Sequence, residues 1–158
     1  MIIRKADQGD CPSIAQVRSN AVRAISTSLY TSDEIEAWAR PRTPEDYTES
    51  IRTKEFYVAV LEDVIVGFGV LNQESRQIEA VFVSPDLGRR GVGLMILCRL
   101  EERARDLGLE ALSLNASLNA VRFYQRAGYL AQEESKYRLS SGVEIPCVPM
   151  YKSLTLQP

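Results

Sequence analysis

The stretch "VFVSPDLGRRGVGLMILCRLEERARDLG", Val81 to Gly108, decides the fold. A short apolar strand runs into Ser84-Pro85-Asp86, then into a knot of glycines and arginines, and directly into a long amphipathic segment. In that segment Ile96, Leu97, Leu100, Ala104 and Leu107 share one helical face, and Gly108 supplies a C-terminal stop. Gly88, Gly91 and Gly93 strip side chains from the turn just where a helix leaves its first N–H groups unpaired. Backbone donors and the positive end of the helix dipole then converge on one point, which suits an anion and a phosphate best. Arg89 and Arg90 add charge beside it. A strand-to-helix turn that uses glycine for geometry alone is the other reading of the same residues.

Two phosphate loops fail the comparison. A P-loop requires a lysine after its last glycine, and Leu94 follows Gly93. A dinucleotide fingerprint reads G-x-G-x-x-G after the first strand of a βαβ unit, with an acid ending the next strand. Here the spacing is G-x-x-G-x-G, three close-set strands precede it, and the following strand "LEALSLN" ends in Asn115.

Working outward, "MIIRKA" reads as a strand, and the helix that follows through Ile25 takes Asp10 as its candidate N-cap. "SDEIEAWAR", opened by Ser32 or Asp33, and "TPEDYTESIRT" read as two shorter helices. "EFYVAVLE", "VIVGFGVLNQ" and "RQIEAVFVS" are strands joined at Glu62-Asp63 and Glu74-Ser75, hence antiparallel hairpins. Beyond the long helix come the strand "LEALSLNA", the helix "SLNAVRFYQRAG" and a closing hairpin that turns at Ser140-Ser141-Gly142. The order predicts an α+β protein with a mixed sheet.

Composition narrows the function. The 158 residues, 45% of them hydrophobic, suit one domain with its own core. A net charge of −2 provides no field for nucleic acid or an anionic membrane, and no apolar run approaches the roughly 20 residues of a span. Cys11, Cys98 and Cys147 lie far apart, and with no histidine in the chain they make no metal site. They read as reduced thiols, and the lack of a leader-like N-terminus predicts a cytoplasmic protein.

The segment from Ile78 to Tyr129 resembles the core of the GNAT superfamily of acyl-coenzyme A-dependent N-acyltransferases, with its Q/R-x-x-G-x-G/A loop, and "VPMYKSL" resembles that family's closing strand. One departure is that the family's opening Gln or Arg falls on Gly88, leaving Arg89 or Arg90 to take that role. The resemblance implies a GNAT fold: a central, mostly antiparallel sheet of about seven strands flanked by helices, with the fourth and fifth strands splayed apart. It implies that acetyl-coenzyme A is the cosubstrate, its pyrophosphate held by the N–H groups of Arg89, Arg90, Gly91, Val92, Gly93 and Leu94. Its pantetheine arm would lie along Val81, Phe82 and Val83, with Val81 and Val83 pairing to it through the main chain.

Asn115 and Asn119 supply side-chain amides near the thioester arm, or serve as a strand-end polar residue and a helix cap. Tyr124, in "NAVRFYQRAGY", matches the family's tyrosine that faces the coenzyme sulfur. A neutral phenol can protonate a departing thiolate, and a half-buried helical tyrosine that packs its ring and hydrogen-bonds water is the other reading. Strict alternation puts Gln77, Glu79, Val81 and Val83 on one face of their strand and Ile78, Ala80 and Phe82 on the other. Glu79 is then the candidate base, acting directly or through water, with a solvated strand glutamate as the alternative. The family's acceptor walls map onto Tyr30, Trp38 and Tyr137, where Asp33, Glu34 or Glu36 could attract a cationic amine, although Tyr30, Trp38 and these acids could equally be the core and surface sides of a short helix. A ping-pong route through Cys98 is disfavoured by its place in the packed helix.

These readings predict acetyl transfer to the primary amine of a small molecule by direct attack, without a metal. A non-catalytic acyl-coenzyme A-binding module and a protein or peptide N-acetyltransferase stand as alternatives, and a homodimer is compatible with either.

Overall fold

A computed structural model describes residues 1–88 and 90–155. Strands β1 (Ile2–Lys5), β2 (Glu55–Leu61), β3 (Val64–Asn72) and β4 (Gln77–Val83) form an antiparallel meander, with α1 (Cys11–Arg23), α2 (Ser32–Ala39) and α3 (Pro44–Thr53) inserted between the first two. Helix α4 (Val92–Asp106) crosses to β5 (Ala111–Ala116), and α5 (Val121–Arg126) leads to β6 (Leu130–Ala131), β7 (Ser135–Arg138) and β8 (Glu144–Ser153). The eight strands run β1-β2-β3-β4-β5-β8-β6, with β7 also on β8. Among the described residues only the β4–β5 contact is parallel, because α4 supplies the long crossover that parallel neighbours need. The sheet thus has eight strands against the expected seven, since the first arm of the last hairpin breaks into β6 and β7, which pair with different halves of β8.

Central strands β2 and β3 are buried along most of their length, matching their nearly unbroken apolar sequences. One layer packs α4 and α5 on the sheet through Ile96, Leu97, Leu100 and Tyr124. The opposite layer packs α1 and α3 through Ile14, Val17 and Tyr47. The hairpin at Glu62-Asp63 closes with both residues at positive φ, 50° and 65°, the twist a two-residue turn requires.

Glycine brings α4 close to the sheet. A Cβ on Gly69 would lie 2.4 Å from the Ile96 side chain, and one on Gly67 would lie 2.9 Å from it. The "VGFGV" stretch of β3 is therefore a seat for the helix, and it fixes where the α4 N-terminus stands relative to β4.

Two local expectations change. Asp10 does not cap α1 with its side chain. A 3-10 turn capped by Asp7 comes first, and the Asp10 carboxylate accepts from the Arg4 guanidinium at 2.8 and 3.0 Å and from the Asp7 N–H at 2.9 Å. Helix α2 is capped one residue earlier than Ser32, by a reciprocal pair in which Thr31 accepts from the Glu34 N–H and Glu34 accepts from the Thr31 N–H.

Candidate active site

Strands β4 and β5 pair only at Gln77–Ser113 and Ile78–Leu114, then part. On its other side β4 stays bonded to β3 through Val83. The Ser84 N–H donates to Val66 C=O at 2.8 Å, and in an antiparallel ladder residues two apart turn the same way. Phe82 therefore turns its main chain to β3, whereas Val81 and Val83 turn theirs to the edge that β5 has left. Those two residues offer the open polar groups an extended amide ligand would satisfy. Phe82 contributes its ring instead, 5.5 Å from Phe68 and 6.5 Å from Trp38.

At the end of that edge lies the glycine turn. Gly91 takes φ of 76° as the residue before α4, and its missing Cβ would meet nothing within 4 Å. The first bond of the helical ladder runs from Met95 N–H to Gly91 C=O at 3.0 Å, so the N–H groups of Val92, Gly93 and Leu94 precede it. A Cβ on Gly93 would sit 3.3 Å from the Phe123 ring, so glycine there lets α5 approach the turn. An open backbone concavity at a helix N-terminus, continuous with an unpaired strand edge, fits a phosphate followed by an amide-bearing arm. Arg90 stands exposed beside it, and Arg89 lies outside the described residues.

The strand alternation does not survive in β4. Leu71 pairs with Ile78 and Val70 with Ala80, leaving Glu79 as the extra residue of a β-bulge. Ile78 consequently joins the α4 layer with Val81 and Val83, not the face of Ala80 and Phe82 as expected. Glu79 swings to the α1–α3 side, where its carboxylate accepts from Lys54 Nζ at 2.5 Å and Asn72 Nδ2 at 3.2 Å.

There a cleft of about 400 Å³ opens, lined by Glu79, Asn115, Tyr124, Tyr30, Trp38 and Tyr137 among others. With Val81 and Phe82, eight of the sequence-predicted residues, scattered over more than a hundred positions, line one cavity. Asn119 does not line it; it sits exposed in the 3-10 turn before α5. Tyr124 is 7% exposed, with its ring edge-on to Phe123 and Tyr129, and burial pushes its phenol well above the ordinary tyrosine range. It is a neutral O–H donor at physiological pH.

Its helix is anchored from below. Glu101, on α4, accepts from Tyr129 Oη at 2.7 Å and from Lys152 Nζ at 3.0 Å, and Lys152 also donates to Ala127 C=O at 2.7 Å. Tyr30 is an anchor too, and more than a wall. Its hydroxyl donates to Pro146 C=O and accepts from Leu118 N–H, each at 2.9 Å, while its ring lies 5.4 Å from Trp38.

The acids of α2 do not reach the cleft. Glu34 caps its own helix, Glu36 pairs with Arg23, and Asp33 lines a separate shallow hollow with Glu36. The charged residues that do line the cleft besides Glu79 are Arg18, Arg42 and Lys54, which the sequence reading missed. Arg18 carried a signal, since it falls four residues after Ile14 within the apolar stripe of α1. Cys98, placed in the packed helix by the sequence, is exposed on α4, whereas Cys11 and Cys147 are buried, Cys147 lining the cleft with a thiol that burial keeps protonated.

The model of the GNAT acetyltransferase domain matches residues 26–154. The chain belongs to the GNAT acetyltransferase family. It is accordingly an acetyl-coenzyme A-dependent N-acetyltransferase. Among curated proteins it is 25% identical over 134 residues to the uncharacterized N-acetyltransferase YafP of Escherichia coli K12, covering 85% of this chain and 84% of that one. Among solved structures it is similar to a GCN5-related N-acetyltransferase from Rhodopseudomonas palustris, with TM-score 0.89, 25% identity, and 96% and 94% of the two chains covered. The PaiA N-acetyltransferase of Thermoplasma acidophilum, solved in complex with coenzyme A, shares the fold at TM-score 0.80 and 17% identity, covering 96% and 98%. Among the described residues no group of histidine, cysteine and carboxylate side chains is placed to hold a metal, and no helix is long and apolar enough to cross a membrane.

Proposed function

We propose that this acetyltransferase acetylates the primary amine of a small molecule by direct attack, with Tyr124 as general acid and Glu79 as base. The observation that carries the reading is the single cleft that joins the open edge of β4, Glu79 and the buried hydroxyl of Tyr124. Its volume of about 400 Å³ falls in the range of small-molecule sites, which favours a small acceptor over a protein surface.

Acetyl-coenzyme A supplies a thioester, whose carbonyl carbon gains the amine nitrogen and whose sulfur departs. Val92, Gly93 and Leu94 N–H groups hold the pyrophosphate, with Arg90 beside them, and Val81 and Val83 bind the arm as an added strand would. A β4 N–H also faces the carbonyl oxygen as negative charge grows on it. Asn115, at the cleft end of β5, orients the arm by its amide. Tyr124 gives its proton to the leaving sulfur, and Glu79 takes one from the amine, directly or through a water, so the protons balance. Cys147 takes no part, because its protonated thiol is a poor nucleophile.

The test is Tyr124→Phe, assayed by thiol release from acetyl-coenzyme A over a panel of amines. The ring stays and only the hydroxyl goes, so coenzyme affinity holds while kcat falls by about 10²–10⁴-fold. Near-normal turnover with chemistry limiting the rate would remove Tyr124 from the reaction. Coenzyme binding without turnover of any amine by the native protein would favour a binding module instead.

A further inference from the structure

The charge of the acceptor cleft is opposite to what a cationic substrate needs. Three cations line it, Arg18, Arg42 and Lys54, against one carboxylate, Glu79, which Lys54 already engages. Among the described residues no carboxylate forms an ion pair with Arg18 or Arg42. Arg18 is 7% exposed, and among the described residues its guanidinium donates only to main-chain oxygens, Trp38 C=O at 2.7 Å and Arg40 C=O at 3.4 Å. A buried guanidinium with no counter-ion is costly to maintain. Desolvation first, and then the neighbouring Arg42 charge, disfavour the protonated form of Arg18, and the Tyr47 and Tyr137 hydroxyls lie close enough to act on it as well. Two guanidinium forks and two phenols that line one cavity and act on one another make a receptor for a planar or tetrahedral anion.

We infer that the acceptor is a small amine carrying an anionic group, a carboxylate or a phosphonate, which Arg18 and Arg42 hold at the end of the cleft away from Tyr124. The inference rests on the acetyl-transfer reading and names the acceptor class for that same site. It also separates roles in the cleft. The arginines bind the fixed charge, which directs the amine end of the molecule toward Glu79 and the edge of β4, and Lys54 holds Glu79 in the bulge. A polyamine gains nothing from such a site and meets two unpaired positive charges in it.

The experiment uses ω-amino acids and ω-aminoalkylphosphonates of two to six carbons, with the matching ω-amino amides and α,ω-diamines. With the native enzyme and acetyl-coenzyme A, the anionic amines should exceed amides and diamines in kcat/KM by at least about tenfold, the acid and phosphonate arms showing which anion fits. Arg42→Gln, at an exposed position that tolerates the change, should shrink that ratio by about 10- to 100-fold, mainly through KM, and Arg42→Lys should restore part of it. Arg52→Gln, outside the cleft on α3, should leave the ratio as it was. Diamines as the best acceptors, or a ratio indifferent to Arg42, would overturn the inference. Calorimetry with the N-acetylated ω-amino acids and amides tests the subsite without catalysis. Acids bound no tighter than amides would sink the anion subsite even in an active enzyme, whereas Arg42-dependent binding of the acids with no amine turned over would sink acetyl transfer and leave the subsite standing.

Discussion

The two halves of the proposed site are made of different material. On the proposed donor side the groups on offer are main chain: the open edge of β4 and, beyond it, the N–H groups before Met95. On the proposed acceptor side they are side chains brought from α1, the segment before α3, the β4 bulge and β7. Backbone binding needs glycines at fixed spacing and a helix held in one place, so it leaves a contiguous trace in the sequence. Side-chain binding needs only that distant residues arrive together, and it leaves none. The donor end is also the more firmly supported, since Gly67 and Gly69 admit α4 to the sheet and Lys152 and Glu101 tie α4, α5 and β8 together.

The comparison can be broken most sharply at Gly91. A glutamate there meets no steric block at its Cβ, but it brings a negative charge to the proposed phosphate site and is strained at a φ of 76°. Gly91→Glu should weaken coenzyme binding by at least about 100-fold in calorimetry, through repulsion and lost N–H geometry, while circular dichroism stays native. If affinity survives, the donor end is not built on this turn.

A smaller loss should follow from Lys152→Met. It leaves Glu101, 6% exposed, with only the Tyr129 hydroxyl as partner. Removing one member of a buried pair costs about 3–5 kcal/mol, and the partly exposed lysine argues for about 3. For a chain of this size that is a fall in Tm of about 6–12 °C. Calorimetry would also show whether the loss extends to coenzyme binding through a loosened α5.

Gly69→Ala sharpens the point about α4. Its new methyl would meet Ile96 at 2.4 Å, and overpacking of this kind costs about 1–3 kcal/mol. The expected signature in a denaturant titration is a lower midpoint at unchanged slope, with reduced coenzyme affinity because the helix N-terminus has shifted. Thr31→Ala should have the smallest effect, about 1 kcal/mol from the lost cap of α2. Since α2 carries Trp38, the change should raise KM for the amine and leave that for the coenzyme alone, the reverse of the Gly69→Ala pattern.

By itself the sequence determined the local patterns of the proposed donor half. "LGRRGVG" before an amphipathic helix, and "NAVRFYQRAGY" after a strand, are local patterns whose geometry follows from glycine, from helix ends and from apolar spacing. Element order followed from the same reading, the gap between β4 and β5 was what the family resemblance implied, and the candidates Tyr124, Glu79 and Asn115 line one cleft. Only the tertiary structure decided the rest. The bulge at Glu79 arises from the register of β4 on β3, which no alternation within "RQIEAVFVS" records. The acids of α2 turned out to serve caps and surface pairs, because a helix presents its sides to whatever packs on them and sequence does not say what that is. The charge of the cleft depends on Arg18 and Arg42, and the neighbours of Arg18 include Tyr137, more than a hundred residues away in the chain. An isolated arginine in an apolar stripe acquires its meaning only when folding removes it from water and supplies no carboxylate to meet it.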